Sequence, residues 1–143
     1  MATITKELIG RLDLVGSADL GGNVYNLVLP HYFGTSYANS LAIQPIEEVY
    51  IICDSADGPI TINLPSSTVF NGVWNTKIYI CWVNGGNDVI LQPFEGSLEP
   101  LIPNDTLNGD PTAYIFQAIY ETNYIHLIWD YTWMKLTCPG LLL

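Results

Sequence analysis

The chain has 143 residues, of which 49% are hydrophobic and only 13% are charged. Such a length suits a single domain, and the low charge hints at surface that is buried against partners. Fourteen acidic residues against four basic ones give a formal net charge of −10, and Lys and Arg form no cluster. This balance argues against a nucleic-acid partner and against an acidic membrane surface.

The first 23 residues are predicted to form an extended N-terminal arm. Ile4, Leu8, Ile9 and Leu12 fit a weak amphipathic turn and an extended arm equally well. The segment lacks the basic start, long apolar core and cleavage site of a signal peptide. No run of 18 or more apolar residues is present to span a membrane. We therefore expect synthesis in a cytosol, and divide the chain into an arm, residues 1–23, and a β domain, residues 24–143.

The β domain is rich in Tyr, Ile, Val, Thr and Trp, which occur in short runs bounded by Gly, Pro, Asn and Asp. "DGP" (57–59) and "ETN" (121–123) predict turns, and "NGGN" (84–87) predicts a tight hairpin. Residues 95–111 look too irregular for strands and are expected to cross between sheets. No internal repeat is convincing. The predicted fold is all-β, an antiparallel β-sandwich or jelly roll, with strands at residues 24–29, 48–54, 60–64, 77–83, 88–92, 113–121 and 124–130.

Three of these strands, at 77–83, 113–121 and 124–130, are apolar on both faces, whereas an antiparallel sheet normally keeps one face polar. The second face must therefore contact the arm, the long segment at 95–111, or another subunit. We favour an obligate oligomer; the alternative is a monomer whose arm and long segment cover both faces. The candidates for contact between subunits are Tyr79, Cys81, Val83, Ile115 and Ile119.

No motif predicts catalysis, a metal site or a cofactor. His31 and His126 have no Cys or carboxylate at ligand spacing, and no phosphate-binding loop, HExxH or EF-hand occurs. The loops "CDSADGP" and "NDTLNGD" could offer oxygen ligands to Ca²⁺, but Asp and Asn also shape turns, which is the favoured interpretation. Cys53 and Cys81 lie in apolar runs, where a free cysteine is usually a small buried hydrophobe.

The aromatic residues are the remaining feature of the sequence that bears on function. Trp82 and Trp129 occupy inward positions of predicted strands and are expected in the core. Trp74, before a strand, and Tyr131 and Trp133, past the last predicted strand, are the candidates for contact with a ligand. Aromatic side chains can stack on sugars or anchor protein interfaces, and we favour the protein interface.

The order of the motifs "ITINLPSS", "KIYICWVNGGNDVILQP" and "AYIFQAIYETNYIHLIWD" resembles small bacteriophage virion proteins, namely head-fibre, capsid decoration and tail-fibre head domains. In that pattern a strand ending in "LP" precedes a Gly-containing loop, a strand, a Gly/Asn hairpin and a final hairpin ending in Trp. The resemblance covers roughly residues 48–130.

The resemblance implies a sandwich or jelly-roll module that assembles as a trimer on a phage particle. It implies a non-enzymatic structural protein, made in the host cytoplasm and carried in the virion, with residues 2–15 docking to capsid or other virion proteins. The alternative is a fibre module that binds a carbohydrate or receptor, such as a host-surface glycan. A small hydrolase with paired acids has no support beyond the presence of acids.

Overall fold

A computed structural model describes residues 4–6, 11–17, 22–28, 40–42, 48–67, 77–99, 101–129 and 131–139. Among these residues there is no helix of the length and hydrophobicity needed to cross a membrane. The described strands are β1 (Ile4–Lys6), β2 (Arg11–Val15), β3 (Asn23–Val28), β4 (Ser40–Ala42), β5 (Glu48–Asp54), β6 (Ile60–Asn63), β7 (Lys77–Asn84), β8 (Val89–Gln92), β9 (Ser97–Leu98), β10 (Leu101–Ile102), β11 (Thr106–Leu107), β12 (Tyr114–Ile115), β13 (Thr122–Trp129) and β14 (Thr132–Cys138).

The strands form two main sheets that enclose one hydrophobic core. The larger sheet has the order β1-β2-β5-β7-β13-β14-β11 and the smaller sheet has the order β12-β8-β6-β3-β4. Alternate residues of both sheets, among them Ile51 and Ile80 of the larger and Ile62 and Leu91 of the smaller, are fully buried in one cluster. The prediction of an all-β sandwich is therefore confirmed.

The pairing of the strands is mixed, and its centre is parallel rather than antiparallel. β2, β5 and β7 pair in parallel in the larger sheet, and β3, β6 and β8 do so in the smaller. In chain order each strand of the first set is followed directly by a strand of the second set, and we call each such pair of strands an arch. Three arches are thus stacked on one another, an internal repeat that was not predicted because the segments between the paired strands differ in sequence and length.

The "NGGN" segment is the turn of the third arch and not a hairpin, because β7 and β8 belong to different sheets. Gly85 has φ of 102°, and a Cβ at this position would lie 2.2 Å from the backbone of Ser55 and Ala56 in the second arch. Ser55 N–H donates to the Asn84 carbonyl at 2.8 Å, and Asn87 Nδ2 donates to the Ser55 carbonyl at 2.7 Å. Close stacking of the turns therefore requires the glycine.

The first arch includes residues that were predicted to form an extended N-terminal arm. β2 pairs with β5 along its whole length, and Leu12 and Leu14 are 2% and 1% exposed in the common core. Asn23 Nδ2 and the Tyr25 hydroxyl both donate to the Val15 carbonyl at 2.8 Å. The alternation of residues 11–15 makes them a sheet strand, so the boundary between arm and domain at residue 23 is corrected to a position before β2.

Antiparallel strands complete the stack at the third arch. β13 pairs with β7 and β12 with β8, both antiparallel. The strand predicted at 113–121 ends at Ile115, and the chain turns before Glu121, where Tyr120 has φ of 70°. Its N–H donates to the Trp82 carbonyl at 2.6 Å. The turn predicted at "ETN" therefore lies earlier in the chain, and residues 122 and 123 already belong to β13.

Two further predictions are corrected by the strands near the C-terminus. Residues 95–111 were expected to lack strands, yet they contain β9, β10 and β11. β9 and β10 form a two-stranded hairpin, and β11 pairs in parallel with β14 at the edge of the larger sheet. β14 itself was not predicted. Its inward and outward positions are both mixed in polarity, so the alternation that marks a strand is weak there.

Candidate functional site

Three tyrosines lie side by side on the outer face of the larger sheet, and we call them the tyrosine row. Tyr50 of β5 is the register partner of Tyr79 of β7, which in turn is the partner of Tyr124 of β13. The residues before and after Tyr79 are fully buried in the core, so alternation directs the row to the opposite face. The ring centroids of both neighbouring pairs are 5.0 Å apart.

The first pair of rings in the row is stacked and the second pair is tilted. The planes of Tyr50 and Tyr79 differ by 14° and those of Tyr79 and Tyr124 by 37°. His126 extends the stack, with its ring 6.1 Å from that of Tyr124 at 11°. Because neighbouring rings lie against one another, a partner would meet ring edges rather than open ring faces. This arrangement suits contact with protein side chains better than flat stacking of a sugar ring.

One neighbouring line of side chains is covered, and an exposed leucine extends the row in the other direction. The covered line, Ile52, Cys81 and Thr122, is at most 8% exposed. Leu136 of β14 is the register partner of Tyr124 and is 56% exposed. With strands about 4.8 Å apart, the line from Tyr50 to Leu136 crosses four strands and is roughly 14 Å long. It forms an aromatic and aliphatic stripe on the sheet.

Charges of both signs lie in the register positions beside this stripe. Lys77 is exposed and lies two positions before Tyr79 on β7, and its register partner on β5 is Glu48. Arg11 of β2 is the register partner of Tyr50, and Asp13 lies two positions after it on the same strand. The start of these strands is therefore mixed in charge.

A second apolar surface lies on the β9–β10 hairpin, which we call the leucine hairpin. Leu98 and Leu101 are register partners and therefore share one face of the hairpin. They are 86% and 77% exposed, the largest exposures among the described large hydrophobic residues. Glu95 and Glu99 beside them are exposed as well. Two adjacent leucines at this exposure are typical of a contact surface rather than of scattered surface residues.

The base of the leucine hairpin is held in a defined geometry. Gly96 N–H donates to Asn104 Oδ1 at 2.7 Å, and Asp105 N–H donates to the Phe94 carbonyl at 3.0 Å. A Cβ on Gly96 would lie 1.8 Å from the Ile102 carbonyl oxygen, so only glycine permits this close approach. The two leucines are thus presented on a fixed support.

The support continues into a buried network around Asp105, which is 0% exposed. Ser67 donates its N–H to Asp105 Oδ2 at 2.8 Å and its hydroxyl to Oδ1 at 2.9 Å. Trp133 Nε1 also donates to Oδ2, at 3.1 Å. Tyr131 N–H donates to Ser67 Oγ at 2.7 Å. Every oxygen of this carboxylate is engaged by protein donors, so its role is structural.

A second buried carboxylate, Glu121, is 3% exposed and joins the two sheets. Its Oε2 accepts from the Tyr114 hydroxyl at 2.7 Å and from Asn123 Nδ2 at 2.8 Å, and its Oε1 accepts from Gln117 N–H at 2.9 Å. Lys135 Nζ lies 3.7 Å from the centroid of the Tyr114 ring. Burial lowers the pKa of Lys135 and raises that of Tyr114.

The structure separates the residues predicted to form a subunit interface. Tyr79 and Cys81 lie together on the outer face of the larger sheet. Val83 is half-buried at the irregularity where β5 and β7 shift register. Ile115 is 44% exposed on β12 of the smaller sheet, and Ile119 is half-buried in the following turn. Only Tyr79 belongs to the stripe. Cys81 lies in the line beside it and is 0% exposed, and Ile115 and Ile119 lie elsewhere because the predicted strand at 113–121 was placed too long.

The predicted ligand contacts are not brought together either. Trp74 lies outside the described residues. Tyr131 is half-buried with φ of 64°, and Trp133 is fully buried. Trp133 is therefore corrected from a surface contact to a core residue, because β14, which carries it, continues the larger sheet. Trp82 packs against the core as predicted, and its Nε1 donates to Ser55 Oγ at 3.0 Å.

The Asp-rich loops use their oxygens to shape turns. Asp54 Oδ1 accepts from Ala56 N–H at 2.9 Å, and Asp110 Oδ1 accepts from the N–H and hydroxyl of Thr112. Hydrogen bonds from Thr112 lower the pKa of Asp110. In the part of the chain that the structure describes, no group of three or more His, Cys, Asp or Glu residues could hold a metal ion.

The leucine hairpin and the two carboxylate networks were not predicted. "SLEPLI" contained the only signal for the hairpin, since two leucines flank a Glu-Pro pair that suits a turn. A scan against protein-family models and searches of curated proteins and of solved structures found no match to this chain.

Proposed function

We propose that the protein is a non-enzymatic structural protein of a bacteriophage virion, a capsid decoration protein or short head fibre that assembles as a trimer. The observation that carries the proposal is the pair of leucines at 86% and 77% exposure on a fixed hairpin. Large apolar side chains held in water in this way favour association with another protein. The virion setting comes from the sequence resemblance.

Two further observations support an assembly role. The stripe across the larger sheet combines three tyrosines with an exposed leucine, a composition typical of interface cores. The buried carboxylates Asp105 and Glu121 have all their oxygens engaged by protein donors, which suits structural roles rather than proton transfer to a substrate. Docking to the particle would use residues preceding β2, because β2 itself is part of the core.

Light scattering behind size-exclusion chromatography at two protein concentrations tests the proposal. A mass of three times 15.8 kDa at both concentrations is the expected result. A monomer at both concentrations would contradict the trimer and leave the exposed leucines without a partner of the same chain. Decoration of phage particles by added protein, observed by electron microscopy, then tests the virion role separately from the trimer.

The second candidate function is a carbohydrate- or receptor-binding module of a phage fibre. The tyrosine row and Tyr131 are the described aromatic side chains that would carry it. The hydroxyls of the row could donate to and accept from a polar ligand. A glycan array probed with the assembled protein tests this function, and Tyr79→Phe should reduce any signal if the row is the binding site. An array without hits would count against it.

A further inference from the structure

We propose that Lys135 and Asn123 become joined by an amide bond between their side chains, a covalent cross-link from β14 to β13 with Glu121 as the proton carrier. The Lys135 amine attacks the side-chain carbonyl carbon of Asn123, and the amide nitrogen of Asn123 leaves as ammonia. The cross-link forms once in each chain, between two of its own side chains. It therefore completes the fold and turns over no substrate.

The alternation of β13 and β14 brings the two reacting side chains to the inner face of the larger sheet. Lys135 lies two positions after Trp133, which is fully buried in the core. Asn123 is 0% exposed and lies two positions before Ile125, another core residue. In the ladder Asn123 is opposite Thr137, two positions from Lys135 on β14. The lysine and the asparagine are thus diagonal neighbours, a separation that a long side chain can span.

The hydroxyl of Thr137 connects the amine to the amide. Lys135 Nζ donates to Thr137 Oγ1 at 2.8 Å, and this hydroxyl donates to Asn123 Oδ1 at 2.6 Å. A single hydroxyl therefore separates the nucleophile from the carbonyl group, and rotation of the flexible lysine side chain can bring them together. The same hydroxyl donates to the oxygen that becomes negative when the amine attacks, which stabilises the tetrahedral intermediate.

Glu121 holds the nitrogen that leaves. Its Oε2 accepts from Asn123 Nδ2 at 2.8 Å, a distance suited to proton transfer. The neutral amine bonds to Cγ and gives up one of its two protons through Glu121 to the amide nitrogen. The bond between Cγ and Nδ2 then breaks, and NH3 departs. Glu121 and Asn123 are 3% and 0% exposed, which keeps out water that would otherwise hydrolyse the amide.

The amine is directed toward the amide rather than toward the carboxylate. In a simple ion pair Lys135 would donate to Glu121, whereas here it donates to the hydroxyl that is bonded to the amide. Nζ also lies 3.7 Å from the centroid of the Tyr114 ring. Burial lowers the pKa of Lys135 and so enlarges the neutral fraction that can attack, while the charge of Glu121 acts in the opposite direction.

Trypsin digestion of the denatured full-length protein, followed by mass spectrometry, tests the cross-link. Trypsin cleaves after Lys and Arg but not after a lysine whose amine is acylated. Residues 78–143 contain Lys135 as their one tryptic site, so in the wild type they should remain a single peptide, lighter than its sequence by one ammonia. Cleavage after Lys135, or an uncleaved peptide with the full mass of its sequence, would overturn the proposal.

Two lysine variants identify the nucleophile. Lys135→Arg keeps a cation beside the Tyr114 ring but should be cleaved after residue 135, and its peptides should have the full mass of their sequence. Lys77→Arg is the matched control, because Lys77 is an exposed lysine of the same sheet, and it should still lose one ammonia. Loss of ammonia from Lys135→Arg, or its absence in Lys77→Arg, would mean that the amine is wrongly assigned.

A third variant separates the proton carrier from a merely structural carboxylate. Glu121→Gln should fold to the same circular dichroism spectrum and yet remain cleavable after Lys135. If it loses that spectrum, Thr137→Val replaces it, since Thr137 is exposed, and the cross-linked fraction should then rise about 100-fold more slowly after purification. A folded variant that forms the cross-link as fast as the wild type would overturn the role given to its side chain.

Discussion

Substitution of Leu14 by Ala tests whether the N-terminal residues are part of the sandwich. Leu14 is 1% exposed and lies opposite Cys53 across the β2–β5 ladder. Replacing a buried leucine by alanine costs about 2–5 kcal/mol, and the cost depends on how far the site can collapse. β2 has only β1 beyond it in the sheet, so some collapse is expected. We therefore expect a loss of about 2–4 kcal/mol in the free energy of unfolding.

Urea unfolding, followed by far-UV circular dichroism and tryptophan fluorescence, measures this loss. A domain of this size loses roughly 3 °C in Tm per kcal/mol, so Tm should fall by about 6–12 °C. Val24→Ala, at an exposed position of the neighbouring strand β3, serves as control and should change the stability by less than about 0.5 kcal/mol. Both proteins are compared at the same concentration, because association stabilises the folded state.

Equal midpoints for Leu14→Ala and Val24→Ala would refute the reasoning. Such a result would mean that residues 11–15 form a free arm that contributes nothing to the core. It would also restore the prediction that the whole segment of residues 2–15 is available for docking. The expected difference in midpoint would instead place β2 in the core of the sandwich.

Three other predictions concern buried polar groups. Asp105→Ala leaves the Ser67 N–H and Trp133 Nε1 buried without this acceptor and should cost about 3–5 kcal/mol in urea unfolding; an unchanged midpoint would contradict the network. Burial raises the pKa of Cys53 and of Cys81, so Ellman's reagent should find one reactive thiol in the native protein, lost in Cys138→Ser, and a second fast thiol would be inconsistent with the core. Burial also raises the pKa of Tyr25: the phenol favours folding below its unfolded pKa near 10, and this stability is lost as pH rises through the folded pKa. Tyr25→Phe should therefore lose less stability than wild type as pH rises above about 10, and parallel urea midpoints for the two proteins would contradict this.

The strands of the arches could be predicted because their side chains alternate cleanly. β5 has the predicted bounds, residues 48–54, and β6 to β8 differ from their predictions by one residue at an end. Which of these strands pair with each other, and in which direction, was harder to predict from the sequence. A Gly/Asn pair between two strands fits a hairpin and an arch equally well, and only the packing of Gly85 against the second arch distinguishes them.

The residues predicted to form a subunit interface were also predicted only in part. The double apolar pattern of residues 77–83 indicated that Tyr79 and Cys81 would face away from the core, and both do. Ile115 shared that pattern but lies on the other sheet. A pattern of alternation specifies which face of a strand a residue occupies, not which sheet the strand joins. The sequence did not indicate that the leucines of the hairpin are exposed, because the exposure of a side chain depends on what the rest of the chain covers.

The sequence by itself determined that this protein is an acidic all-β sandwich whose strands have a second apolar face. Those properties follow from composition and from a period of two residues, both of which are local. The tertiary structure alone decided that the arches stack in parallel, that Trp133 and Asp105 are buried together, and that Leu98 and Leu101 remain in water. These depend on contacts between residues far apart in the chain, where burial is set by the neighbours that the fold supplies and not by the residue's own type.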